Sequence, residues 1–97
     1  MELRLDGKAA LVTGASKGIG FAIAKAMAES GAKVMLSSRK QEQLEKAAAE
    51  IDGEVDVFAA NAGEPEQAEA CVKATIERFG ALDVLVNNVA TIPTWGG

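Results

Sequence analysis

Short apolar runs alternate along this chain with apolar residues at helical spacing. Ala9-Ala10-Leu11-Val12, bounded by Lys8 and a glycine-rich loop, is too brief for a helix and reads as a buried strand. Ile19, Ala22, Ile23, Ala26 and Met27 then recur at helical spacing, and Gly31 stops the pattern where a C-terminal glycine would sit. Val34-Met35-Leu36 makes a second strand, ended by Ser37-Ser38-Arg39. Leu44, Ala47, Ala48 and Ile51 mark one face of a second helix, which Asp52-Gly53 closes. Val55, Val57 and Phe58 suggest a third strand. Pro65 in a first helical turn, followed by Ala68, Val72, Ile76 and Phe79, predicts a third helix that Gly80 ends. Leu82 through Asn87 reads as a fourth strand, and Asn88 to Gly97, with Pro93 and Trp95, as a loop.

Strands alternating with helices imply right-handed parallel crossovers, and hence an α/β fold with a doubly wound parallel sheet. The expected strand order is 3-2-1-4 with three helices. Passing from the third strand back beyond the first forces the third helix onto the opposite face from the other two. That creates a topological switch point beside the first strand, the crevice where a ligand should lie. All 97 residues read as one partial domain, without repeat or linker.

Composition narrows the classes. At 48% hydrophobic and 25% charged the chain fits a globular domain, and a chain of this length buries about two-thirds of its unfolded surface. No apolar stretch reaches the roughly 18 residues that span a bilayer, and Met1 to Asp6 is too charged for a secretory signal, so no membrane partner and a cytoplasmic location are expected. The single Cys71 reads as core filler on a helix. A net charge of -4 argues against nucleic acid as a partner. Acidic residues nonetheless thin out around the glycine-rich loop, where Lys17, Arg39 and Lys40 could converge.

That loop, residues 13 to 20, carries the chemistry. Gly14 lets the backbone turn sharply off the strand, Gly18 removes side-chain bulk near a ligand, and Gly20 lets the helix approach the sheet. Unpaired N–H groups and the positive dipole end of a helix starting near Gly18 favour an anion such as pyrophosphate. A P-loop is excluded, because Lys17 precedes Gly18 and the helix continues with Ile19. An ordinary strand-to-helix connection is the plain alternative.

Thr13, Gly14, Gly18 and Gly20 match in full the Thr-Gly-x-x-x-Gly-x-Gly signature of the short-chain dehydrogenase/reductases. With the second and third strands and Asn87-Asn88, the chain resembles this family over nearly its whole length, as a partial Rossmann fold covering roughly the first two-fifths of a member. The resemblance implies a nicotinamide dinucleotide held by Gly14, Ser16, Lys17, Gly18, Ile19, Gly20, Ser38, Arg39, Asn61, Ala62 and Asn87. Within the family the chain looks like a 3-oxoacyl reductase or a sugar- or alcohol-oxidising enzyme, which the residues do not separate.

Cofactor choice follows from charge. An enzyme that uses NAD places an acidic side chain after the second strand to hold the ribose hydroxyls. Here Ser37-Ser38-Arg39-Lys40 stands there, able to donate to and pair with the extra phosphate of NADP, so NADP(H) is expected in preference to NAD(H). Asn61 replaces the acidic residue with which many members bind the adenine amino group, and its amide oxygen can accept the same bond. For Asn87, a cofactor contact and a strand-end amide satisfying the backbone remain equally open. Ala90 puts a methyl group where the family has bare backbone.

Members of the family transfer a hydride between nicotinamide and a carbonyl or alcohol while a tyrosine moves the proton, helped by a lysine four residues later and by a serine. This sequence has no tyrosine or histidine, and no catalytic residue or metal ligand is assigned in it. The expected function is therefore the NADP(H)-binding portion of such an oxidoreductase, not catalytic by itself. The alternatives are a noncatalytic truncated module that binds cofactor or docks on a full-length relative, and a product without function. Ending after the fourth strand also leaves Leu82, Val84, Leu85 and Val86 short of cover, so a homo-oligomer or pairing through the exposed sheet edge is a further expectation.

Overall fold

The computed structural model describes residues 4–88, so Ala90, Pro93 and Trp95 of the expected terminal loop lie outside the described residues. Its elements run β1 (Ala9–Thr13), α1 (Gly18–Glu29), β2 (Lys33–Ser38), α2 (Gln41–Ala49), β3 (Glu54–Ala59), α3 (Pro65–Phe79) and β4 (Val84–Asn87). The strands form one parallel sheet in the order β3-β2-β1-β4, as expected. No helix among the described residues is long and apolar enough to cross a membrane.

All of β1 is buried, because this central strand is covered on both faces. Alternate residues therefore feed two separate cores. Ala10 and Val12, with Val34 and Leu36 of β2, pack against Ala24, Ala28, Leu44 and Ala47 of α1 and α2. Ala9 and Leu11, with Met35, meet Cys71 and Phe79 of α3 on the other side. The third helix thus crosses to the opposite face, and the switch point falls beside β1.

Two helices turn differently from their apparent stripes. In α1 the sheet is met by Gly20, Ala24 and Ala28, while Ile19 is 73% exposed and Ala22 and Ala26 face outward. Nearly every residue of α1 is apolar, so spacing alone does not choose a face. Close approach chooses the smallest one, spaced i, i+4, i+8. In α3 the buried positions are Cys71, Thr75 and Phe79, and Ile76 is 44% exposed. Thr75 can be buried because its hydroxyl donates to the Cys71 carbonyl at 2.8 Å. Pro65 opens α3 and Gly80, at φ 85°, closes it in the left-handed region.

The uncovered surface is smaller than the sequence suggests. Val84 and Val86 pack on the α1 side and Leu82 on the α3 side, which leaves Leu85 as the exposed apolar residue of β4, at 54%. Strand alternation sends its neighbours inward.

Asp83 ties the start of β4 to β1. Its carboxylate accepts the Ala9 N–H at 2.9 Å, and its own N–H donates to the Ala9 carbonyl at 2.8 Å. Because Ala9 is 1% exposed, Asp83→Ala strands a buried donor and should cost about 1–3 kcal/mol in urea unfolding. Asp83→Asn, which keeps an acceptor oxygen, should lose less than half as much.

Candidate functional site

The carboxyl ends of the strands open onto a cleft of ≈ 570 Å³. Thr13, Gly14, Ser16 and Lys17 line it from the first crossover, Ser37 to Lys40 and Gln43 from the second, Ala60 to Gly63 from the third, and Asn88 from the end of β4. Among the described residues the lining holds the cations Lys17, Arg39 and Lys40 and no carboxylate, although the chain as a whole carries a net charge of -4. A concave surface of one sign collects the opposite charge, here an anion.

The first crossover supplies the matching backbone. Gly14 and Gly18 sit at φ 61° and 63°, left-handed values that glycine adopts without strain. The residue before α1, Lys17, is extended and makes no side-chain cap, and the first turn carries no acidic residue. The leading N–H groups of α1 therefore keep their bonding capacity and their partial positive charge.

Three elements hold this turn in place. The Thr13 hydroxyl donates to Asn87 Oδ1 at 3.0 Å and accepts the Asn88 backbone N–H at 3.0 Å, while Asn88 Nδ2 reaches the Gly14 carbonyl at 3.4 Å. A Cβ on Gly14 would strike the Asn88 carbonyl. One on Gly20 would strike the Gly14 carbonyl and stand 2.8 Å from Asn88 Nδ2.

Of the residues expected at the site, Gly14, Ser16, Lys17, Ser38, Arg39, Asn61 and Ala62 line the cleft together. Gly18, Ile19, Gly20 and Asn87 are not among its lining residues. Beside Gly18 is open space, Ile19 lies exposed at the start of α1, and Gly20 is packed behind the loop. Asn87 gives its oxygen to Thr13 and lines a smaller pocket of ≈ 100 Å³ on the α3 side, with Cys71 and Leu85. Burial pushes the Cys71 thiol up, its hydrogen bond with Ser37 offsetting part of that, so the sulfur is a neutral filler.

The two serines at the end of β2 are not equivalent. Ser37 is engaged inside the fold, its hydroxyl donating to the Phe58 carbonyl at 2.8 Å. Ser38 Oγ is buried with no partner among the described residues, beside Arg39 and Lys40. At the third crossover, Asn61 Oδ1 accepts the Gly63 N–H at 2.9 Å, so the oxygen expected to meet a base amine serves the turn. Thr13, Ser37, Lys40, Gln43, Ala60, Gly63 and Asn88 join the lining beyond the expected set. For Lys40 the charge run Arg39-Lys40 was the available signal.

The glycines should separate by their surroundings. Gly20→Ala meets backbone and should destabilise by about 1–3 kcal/mol. Gly18→Ala meets open space and carries only its left-handed conformation, about 1–2 kcal/mol. Urea titrations of the two variants check the order, and a Gly20→Ala protein as stable as the native chain would remove the close contact.

Comparison with known proteins follows the same lines. A family model described as short chain dehydrogenase matches residues 8–96. Dehydrogenase/reductase SDR family member 4 of Bos taurus is 41% identical over 95 residues, which cover 95% of this chain and 34% of that protein. The crystal structure of a hydroxysteroid dehydrogenase from Escherichia coli superposes with a TM-score of 0.89 at 33% identity, over 93% of this chain and 40% of that one. L-Sorbose reductase from Gluconobacter frateurii, complexed with NADPH and L-sorbose, gives 0.86 at 37% identity, over 94% and 36%. The chain thus spans about a third of the length of such relatives, 34% in the bovine case.

Proposed function

The chain belongs to the short-chain dehydrogenase family as an N-terminal portion, and on that premise we propose that its cleft holds NADP(H) in preference to NAD(H) for an oxidoreductase acting on a carbonyl or alcohol. The observation that carries the preference is Ser38 Oγ, buried next to Arg39 and Lys40 with neither a partner for it nor a carboxylate in the cleft among the described residues. A buried hydroxyl without a partner is costly, and a phosphate oxygen is the acceptor it lacks. The residues therefore fit a 2′-phosphate, and the presence of NADPH in the Gluconobacter reductase supports the same reading.

When bound, the nicotinamide supplies hydride chemistry; this chain's residues bind and orient. The N–H groups at the start of α1 and Gly14 hold a diphosphate, with Lys17 adding charge. Ser38 and Arg39 take the ribose phosphate, Arg39 through its planar pair of donors. Asn61 and Ala62 border the base end. Ser16, Gly18, Ile19, Gly20 and Asn87 complete the proposed set, Ile19 as the exposed apolar residue beside the loop and Gly20 through its close approach to the Gly14 carbonyl. With no tyrosine or histidine in the chain, no residue here is assigned the proton. A second reading, noncatalytic docking through the β4 edge, is favoured by Leu85 at 54% exposure on that strand.

Titration of the protein with NADPH and NADH, followed by nucleotide fluorescence, tests the assignment. Arg39→Ala should weaken NADPH at least about tenfold and NADH less than about twofold. Equal losses would refute the pairing with phosphate, and native affinity for NADPH no tighter than millimolar would refute the pocket.

A further inference from the structure

β3 is an edge of the sheet, on the side away from β4, so half of its backbone groups face outward. The Ala60 N–H donates to the Ser38 carbonyl at 2.8 Å, and alternate residues of a strand bond the same neighbour. The amides of Asp56 and Phe58 therefore turn toward β2, and those of Val55, Val57 and Ala59 toward the open edge. Of these three the central one is covered. The Val57 N–H donates to Asp56 Oδ1 at 2.8 Å, while Asp56 Oδ2 accepts from Arg78 Nε of α3 at 3.0 Å. Arg78 lies 5.2 Å from the centre of the Phe79 ring, which packs in the core between α3 and the sheet. Val55 and Ala59 have no such side-chain acceptor among the described residues.

Stability does not explain the arrangement. The Arg78 and Asp56 side chains are 48% and 43% exposed, and an ion pair so open to water contributes little. Position does explain it. The register sets Asp56 beside Met35, on the α3 side of the sheet. A charge pointing inward on an edge strand is one of the devices by which sheets avoid edge-to-edge pairing.

We propose that Asp56, seated by Arg78, guards the β3 edge against the β3 edge of a second copy of this chain. The outward groups are self-complementary about Val57. In an antiparallel twofold pairing Val57 faces Val57 and Val55 faces Ala59 in both directions, each pair exchanging two backbone bonds. The N–H at the centre of that ladder is the one the carboxylate holds. A second strand must displace the carboxylate, which then stands opposite Phe58 of the other copy with its Val57 bond lost. The inference is independent of what the cleft binds.

Amide hydrogen exchange and sedimentation velocity on the whole chain test it. In the native protein, diluted until monomeric, the Val57 amide should exchange at least about fivefold more slowly than those of Val55 and Ala59. Asp56→Ala should abolish that difference and tighten self-association at least about tenfold, with all three amides becoming protected as the dimer forms. Arg78→Ala, which leaves the carboxylate, should act the same way by less. Asp56→Asn, which keeps an acceptor oxygen, should associate within about threefold of the native protein. Equal exchange at the three positions in the native monomer overturns the proposal whether or not any variant folds. So does an Asp56→Ala protein that associates no more tightly than the native one. Association that leaves the three amides exchanging freely overturns it too, and places the contact at the β4 edge.

Discussion

The contact between Gly20 and the Gly14 carbonyl fixes the geometry on which the cleft depends. It lets α1 lie against β1 through Gly20, Ala24 and Ala28, and it sets where the first N–H groups of the helix point. Asn88 closes the same junction from β4, so the loop is held by backbone from two strands and a helix. Three polar bonds around Thr13 and Asn88 then make the arrangement specific. A larger side chain at Gly20 would push the helix off the loop and one at Gly14 would press on Asn88, and in either case the leading amides would no longer converge on one place.

Much of this was legible in the sequence, for reasons that differ by element. The strand order follows from apolar runs too short to be helices, separated by helical lengths of chain, because parallel crossovers admit few topologies. Gly14, Gly18 and Gly20 were legible because each answers a backbone demand. The faces of α1 and α3 were not. In α1 the apolar residues Ile19, Ala22 and Ala26 point outward because packing distance, not hydropathy, chose the face. In α3 the buried Thr75 carries its own hydrogen bond to Cys71, so a polar residue occupies a core position that a hydropathy pattern assigns elsewhere. Asp83 left no signal at all, since a side chain that bonds a distant backbone N–H has no periodicity to betray it.

Charge is distributed so that the site and the molecule carry opposite signs. Glu42, Glu45, Glu50, Glu66, Glu69 and Glu77 lie exposed on or beside α2 and α3, while Lys17, Arg39 and Lys40 gather at the strand ends. Exposed charges more than about 10 Å apart are largely screened at ordinary ionic strength. Groups inside a cleft interact through less water and are screened less. The local cations therefore outweigh the global excess of acid for anything that enters the cleft.

Ser38 sets this polarity apart from that of an ordinary charged surface. Exposed lysines and arginines are satisfied by water and require no ligand. A hydroxyl buried without a partner is not satisfied, and the fold tolerates it at the point where β2 delivers Arg39 and Lys40 to the cleft. Its neighbour Ser37, one residue earlier and facing the other side of the sheet, has its bond to Phe58. Alanine at position 38 would end β2 without the desolvation cost. An acceptor arriving from outside would satisfy the hydroxyl, and beside two adjacent cations the acceptor that would suit it best is a phosphate oxygen, as proposed above.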